Sequence, residues 1–310
     1  MLKLVHKIAD SILGRIQRSP MYYKKYNNTA APRVNLIYSR FARKCAEQYA
    51  KQNTGEALGA SPVHTEGIQL LPKVFSEEKA RSYSEKITAL IDVNNSDIVE
   101  KDPSGLSIRI QHPMMNLGED LLDVLRNPEV NRSLEQFFNG YFRIEWAMCY
   151  RSIPCDRPAS SWLWHSDSYP PHTCKMFLYL TPANVDRGAM QIMNLEDTMA
   201  YRDAGYFGQN LDERYDNLEE FAKAKNIPYR PHHVDTQPGD ATIFDMNFFH
   251  KAVAPKTQFR DVIQFFFLPS LIPWEDQLQQ DGIEYLGKLG NVPKDPRIKR
   301  TTPATAGGMM

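Results

Sequence analysis

The sequence predicts a mainly β protein with flanking helices, an α+β chain whose centre is a barrel or jelly roll. Three observations lead there. Beyond residue 141, short apolar runs follow one another: "YFRIEWAMCYRSI", "CKMFLYLTP", "GAMQIMN", "GDATIFDMN" and "RDVIQFFFLPS". Most are bounded by Pro, Gly, Asn or Asp, the texture of strands closed by turns. The first alternates Phe142, Ile144, Trp146, Met148 and Tyr150 against Arg143, Glu145, Ala147, Cys149 and Arg151, a period of two. Ahead of residue 141 the apolar spacing is mostly helical, so helices precede the strands and pack outside them.

Residues 1–60 read as an N-terminal helical extension. "MLKLVHKIADSILGRIQRS" places Leu4, Ile8, Ile12 and Ile16 at helical spacing, and "VNLIYSRFARKCAEQYAKQ" forms a second helix. Eight Lys/Arg and one acid fall within residues 1–40. A basic amphipathic helix of this kind can contact a membrane surface, but such a stripe more often packs on its own domain, and that is the expectation. A Gly/Ser-containing loop from Gly55 to Pro62 leads to a short strand and then to Ser76. This serine is a good N-cap, with Glu77 and Glu78 in the first turn. Ala80, Tyr83, Ile87, Leu90 and Ile91 then mark one face of a helix over about 77–92. "GEDLLDVLRNPEVNRSLEQFFNG" is helical with a break at Pro128. Among the strands, residues 194–232 form a long polar insertion with a helical patch near 217–225, the sort of segment that serves as a lid. The main domain is expected over 64–270. A C-terminal extension follows over 271–310, with a mobile end.

The chain has 310 residues, enough for one large domain or two small ones. Lys+Arg and Asp+Glu both number 37, so no whole-molecule field favours nucleic acid, and none is expected as a partner. Four cysteines without C-x-x-C spacing suit reduced thiols in a cytoplasm. No stretch approaches the roughly 20 apolar residues of a membrane span, and a soluble protein is expected.

The chemistry gathers at "WLWHSDSYPPH". On an extended strand, His165 and Asp167 at i and i+2 point the same way, so an imidazole and a carboxylate can converge on one ion. An H-x-D triplet alone is common and needs no metal to explain it. A third ligand is wanted, and His250 is the best offer, read as closing the strand "GDATIFDMNFF". Two histidines and one carboxylate on one face of an octahedral ion leave three positions open, the arrangement of non-haem Fe(II) oxygenases. Two positions can take a bidentate 2-oxo acid and the third dioxygen. Ten residues past His250 comes Arg260, a permanently charged planar fork suited to a distal carboxylate, and one hairpin could carry both groups. His232 and His233 rival His250 as ligands but lie in a Pro-rich loop and are expected to face solvent or cap the lid. His112 and His172, beside prolines, are read as structural. Trp162, Trp164 and Tyr169 either stack on substrate or belong to the core. Arg151 and Cys149 share a strand face with Ala147 that could line the barrel interior.

Over roughly residues 64–270, the order of H-x-D, a K-x-F-x-Y-L strand, a G-D strand ending in His, and an Arg ten residues later resembles the phytanoyl-CoA dioxygenase family of Fe(II)/2-oxoglutarate oxygenases. The resemblance implies a double-stranded β-helix (jelly-roll, cupin-like), with His165, Asp167 and His250 holding Fe(II) and Arg260 holding 2-oxoglutarate. Lys175 matches the family's strand lysine and could contact the cosubstrate or a pocket carboxylate, or simply face water from a strand edge. The implied reaction consumes dioxygen and 2-oxoglutarate, releases succinate and carbon dioxide, and hydroxylates a C–H bond of a small-molecule substrate. Desaturation or ring closure can branch from the same course. Where the family often has Pro-Gly-Ser-His, this chain has "IMNLEDTMAYRD", so the pocket wall there differs. Two other readings remain: a cupin-like metal dioxygenase or isomerase that does not use 2-oxoglutarate, and a binding module with a vestigial site.

Overall fold

A computed structural model describes residues 11–55, 57–102, 105–287 and 291–298. Its centre is two antiparallel sheets. The larger has seven strands in the order β1 (Ile68–Leu71), β8 (Ala241–Phe244), β5 (Cys174–Tyr179), β10 (Arg260–Pro269), β4 (Phe142–Ser152), β3 (Ser107–Ile110) and β2 (Val99–Lys101). The smaller runs β7 (His232–Val234), β6 (Met190–Ile192), β9 (His250–Ala252). The segment around His165 extends its β9 edge through a bridge to His250. Phe177, Tyr179, Val262 and Phe266 from the large sheet meet Met190, Ile192 and Val234 from the small one in a single apolar interior. The protein is a mainly antiparallel β structure with flanking helices and a double-stranded β-helix core.

β10 lies at the centre of the large sheet and every residue in it is buried, because both faces are covered. On the inner face Phe266 stacks on Trp146 with ring centroids 5.0 Å apart. On the outer face Ile263, Phe265 and Phe267 join a second cluster with residues from the helices α3 (Glu77–Val93) and α4 (Pro128–Phe138). Ser76 caps α3 as expected, its Oγ accepting from Lys79 N at 3.3 Å. Pro128 is the first residue of α4, so the chain breaks there. Beneath α3, Arg151 donates to both oxygens of Asp261, at 2.8 and 2.7 Å, and its guanidinium also reaches Thr88 Oγ1. Arg151 and Cys149 therefore lie on the helix-covered outer face and do not line the interior.

That reversal has a local cause. The β4–β10 register shifts between Phe266 and Phe267, which pair with Trp146 and Ile144 and leave Glu145 out of the ladder. A bulge swaps the faces of a strand. Phe142 and Ile144 consequently join the helix side, whereas Trp146 and Met148 join the interior. The extra residue is buried, and its carboxylate pairs with Arg143 at 2.9 Å.

The helices that precede the sheets include α1 (Pro20–Tyr26) and α2 (Pro32–Gln52). Tyr38 of α2 is fully buried in the interior cluster and donates to the carbonyl of Pro293. Of the proposed N-terminal stripe, Leu4 and Ile8 lie outside the described residues, and Ile12 and Ile16 are exposed at 53% and 45%. No described helix is long and apolar enough to cross a membrane. The tail beyond residue 298 also lies outside the described residues. All four cysteines are free thiols.

The insertion is more ordered than its polarity suggests. Besides the expected helical patch, α6 (Glu219–Lys225), it holds a second helix, α5 (Leu195–Asp203), capped by Asn194, whose side chain accepts from Asp197 N. Met193, Tyr201, Tyr206, Leu218 and Ala222 close on Trp164 and Phe249 as a small core of their own.

Candidate metal centre

His165 and His250 are a directly opposed backbone pair. The N–H of each donates to the carbonyl of the other at 3.0 Å, and Asp167 N donates to Met246 O at 3.0 Å. This register places both imidazoles side by side, with centroids 4.3 Å apart. The period of two along the strand puts Asp167 on the same side as His165, with Oδ1 lying 3.4 Å from His165 Nε2. One ligand atom from each of the three residues falls within 4.8 Å of the others.

Each ring is fixed by its other nitrogen. His165 Nδ1 lies 2.8 Å from Leu163 O and His250 Nδ1 lies 2.9 Å from Phe248 O. A carbonyl only accepts, so Nδ1 carries a proton in both rings, and a neutral ring then has Nε2 as its lone-pair donor. Such outer hydrogen bonds orient metal-binding imidazoles. Burial, reinforced by the neighbouring His165, pushes the His250 imidazole down to about 3, so it stays neutral. Burial works against ionisation of Asp167, but Lys175 and the two histidines outweigh it and hold its carboxyl well below the usual range. The three residues therefore present two imidazole nitrogens and one carboxylate oxygen, a set suited to a divalent first-row ion.

Lys175 projects from β5 into the same cavity, its Nζ 2.8 Å from Asp167 Oδ2. It contacts a pocket carboxylate, not water. Asp167 is divided between two neighbours, with Oδ2 held by the lysine and Oδ1 turned to the imidazoles.

His250 opens β9 and does not close β8 as the sequence suggested. β8 stops at Phe244, and a turn intervenes in which the Asp245 side chain accepts from Asn247 N at 2.8 Å. Nor do His250 and Arg260 share a hairpin. β9 belongs to the small sheet and β10 to the large one, so the two residues face one cavity from opposite walls.

That cavity, about 230 Å³, is lined by the three candidate ligands, Lys175 and Arg260. Arg260 is 2% exposed, yet no carboxylate pairs with it among the described residues. Its guanidinium donates to the Gly188 carbonyl and to Ser152 Oγ at 3.1 Å, Trp162 lies over it, and its Nε–H has no partner. A buried cation without a counter-charge is costly unless an anion arrives.

Sequence reasoning missed Ser152 and Gly188. The β4–β10 register sets Ser152 opposite Arg260, a pairing no local pattern reveals. Gly188 sits at φ +80°, and a Cβ there would stand 3.3 Å from Arg260 Cδ. Gly188→Ala is expected to destabilise the protein by about 1–2 kcal/mol through the left-handed backbone alone and to displace the arginine. Urea unfolding reads the first effect and 2-oxoglutarate titration the second.

Among the described residues, the other histidines stay outside the cluster. His232 and His233 are exposed, on β7 and not in a loop. His172 is packed near His64, and burial, then that neighbour, push it down to about 4. Between its ordinary value and 4 the unfolded chain binds a proton that the folded protein refuses. Stability is therefore full above about pH 6.5 and falls as pH drops towards 4. After allowance for its partial exposure the effect is on the order of 2 kcal/mol. Urea unfolding of wild type and His172→Gln across this range should show a shallower pH dependence in the variant. Trp162 and Trp164 are buried; Trp164 belongs to the small core of the insertion, and Tyr169 packs edge-on against Phe266.

Fold and site together define a double-stranded β-helix with a buried two-histidine, one-carboxylate cluster. Solved structures superpose on the chain to different extents. The epimerase SnoN, solved with Fe3+, alpha ketoglutarate and nogalamycin RO, superposes with a TM-score of 0.50 at 13% identity, covering 86% of this chain and 97% of its own. HygX from Streptomyces hygroscopicus, solved with nickel and 2-oxoglutarate, gives 0.45 at 13% identity over 67% of this chain and 85% of its own. EctD from S. alaskensis gives 0.46 at 15% identity over 66% and 73%. No family model matches the chain, and no curated protein matches its sequence.

Proposed function

We propose that the protein is an Fe(II)/2-oxoglutarate-dependent oxygenase of the phytanoyl-CoA dioxygenase type that hydroxylates a C–H bond of a small molecule. Its catalytic body spans residues 64–270. The observation that carries the reading is Arg260, a buried guanidinium without a carboxylate partner among the described residues, in one cavity with His165, Asp167 and His250. The oriented donor set at these three residues, two imidazoles and a carboxylate, fits the ion, and a protein similar in fold is described as a complex with Fe3+ and alpha ketoglutarate.

When bound, Fe(II) with 2-oxoglutarate supplies dioxygen activation coupled to decarboxylation of the oxo acid to succinate. His165, Asp167 and His250 hold the ion, and Arg260 with Ser152 holds the distal carboxylate, where a planar fork and a hydroxyl suit its two oxygens. Lys175 keeps Asp167 ionised and fixes Oδ2, so that Oδ1 remains the donor. The insertion shields the site. Tyr206 OH donates to Trp164 O at 2.6 Å, Trp164 N to Tyr215 O, and Lys251, next to His250, binds Asp216 at 2.7 Å. These ties keep water from the cavity wall behind His165. Gly208, at φ +58°, lets the insertion run against His165, where a Cβ would come within 3.0 Å of its Cα.

The test is succinate formation from 2-oxoglutarate by the full-length protein with Fe(II) under air, against the same protein with Zn(II) in place of iron. Turnover that needs Fe(II) and dioxygen supports the reading. Stoichiometric metal uptake with no 2-oxoglutarate consumption or binding overturns it.

A further inference from the structure

A second buried guanidinium lies behind the metal centre. Arg202, on α5, is 2% exposed and forms no ion pair among the described residues. Its N–H groups reach three acceptors on three segments: Asn27 Oδ1 at 2.5 Å, Ser166 Oγ at 3.2 Å, and the carbonyl of Asn247. Ser166 is the residue between His165 and Asp167, and Asn247 lies in the turn that leads to His250. Ser166 Oγ also donates to the Asn247 carbonyl at 3.1 Å. The rings of Phe249 and Tyr23 lie against the guanidinium at 5.4 and 6.0 Å.

Desolvating a cation in this way is unfavourable unless it is hydrogen-bonded, and the two ends of a planar fork here reach acceptors on three segments. Burial pushes the group down to about 10, so it is still charged at neutral pH. The segment preceding α2 is joined to the same place. Thr29 Oγ1 lies 3.0 Å from Ser168 Oγ, the residue after Asp167, Gln209 donates to both hydroxyls, and Tyr23 OH and Lys24 bind Asp203 beside Arg202. None of these atoms lines the cavity that holds the candidate ligands. What they share is contact with the main chain or flanks of the two ligand-bearing segments.

We propose that Arg202 is a positioning residue of the metal centre, clamping the His165–Asp167 segment to the turn before His250 from behind, and that residues 20–31 act on the centre through Asn27 and Thr29. This rests on the metal reading above. It assigns to the N-terminal extension the setting of ligand geometry instead of membrane contact. The carbonyls that orient the two rings, Leu163 O and Phe248 O, belong to the segments so clamped, so loosening the clamp loosens both imidazoles.

Full-length wild type, Arg202→Lys, Asn27→Gly and His165→Ala are titrated with Mn(II) by calorimetry, and their Co(II) complexes are compared by visible absorption. Arg202→Lys keeps the charge and loses the fork. Asn27 sits at φ +53°, which glycine adopts freely, so Asn27→Gly removes only the side-chain acceptor. The expected result is Mn(II) binding weakened about tenfold in Arg202→Lys and about threefold in Asn27→Gly, as for loss of outer partners of a metal site. The Co(II) spectrum should be altered in both, which a role in stability alone would not produce. Wild-type affinity and spectrum in a folded Arg202→Lys, or in Asn27→Gly should the lysine variant not fold, overturn the proposal. Absence of any wild-type Mn(II) uptake that His165→Ala removes overturns instead the metal reading beneath it.

Discussion

Replacing His250 with alanine is expected to abolish stoichiometric uptake of Fe(II) or Mn(II) and, with it, 2-oxoglutarate-dependent turnover. Two remaining ligands cannot hold a divalent ion against water and buffer. Losing a mere outer partner already lowers affinity or activity by about 10–100-fold, so removal of a donor atom should exceed this. The main-chain pairing of His165 with His250 does not depend on either side chain, so the variant is expected to fold. Calorimetry with Mn(II) on a sample whose far-ultraviolet circular dichroism matches wild type makes the comparison. Unchanged stoichiometric binding would exclude these residues as the site.

Arg260→Ala should leave metal uptake intact while weakening 2-oxoglutarate binding by about 100- to 10,000-fold. Hydrogen bonds to charged groups contribute about 1.5–3 kcal/mol each, and a carboxylate held by two of them loses about 3–6 kcal/mol on removal, at tenfold per 1.4 kcal/mol. Arg260→Lys retains the charge without the fork and is expected to lie between. Titration of 2-oxoglutarate into the Mn(II)-loaded protein measures both. If Arg260→Ala binds 2-oxoglutarate like wild type, this is a metal protein of another kind, and the cosubstrate reading fails even if the ion is bound.

The parts of the site legible in the sequence were those governed by strand periodicity. H-x-D works because residues two apart share a face, and K-x-F-x-Y reads the same way along β5, where Lys175 and Phe177 both line the cavity. Helix starts were legible because caps are local, as at Ser76 and Pro128. What could not be read was anything decided by pairing between distant segments. The bulge at Glu145 is invisible because residues on both faces of β4 are buried, so an apolar alternation continues unbroken through a reversal of faces. The turn between β8 and His250 reads as strand because Phe248 and Phe249 are apolar, although they serve two different clusters. Ser152 and Arg202 carry no motif. Their importance comes from partners about 36 to 175 positions away, brought near only by the closing of the sheets.

The reciprocal hydrogen bonds between His165 and His250 bear on how the centre is filled. The peptide links of the two residues are stitched to each other by main-chain atoms alone, so the pairing uses none of the side-chain atoms that a metal would take. If the centre holds iron as proposed, a chelator that strips it should leave a protein that keeps its shape and can be reloaded.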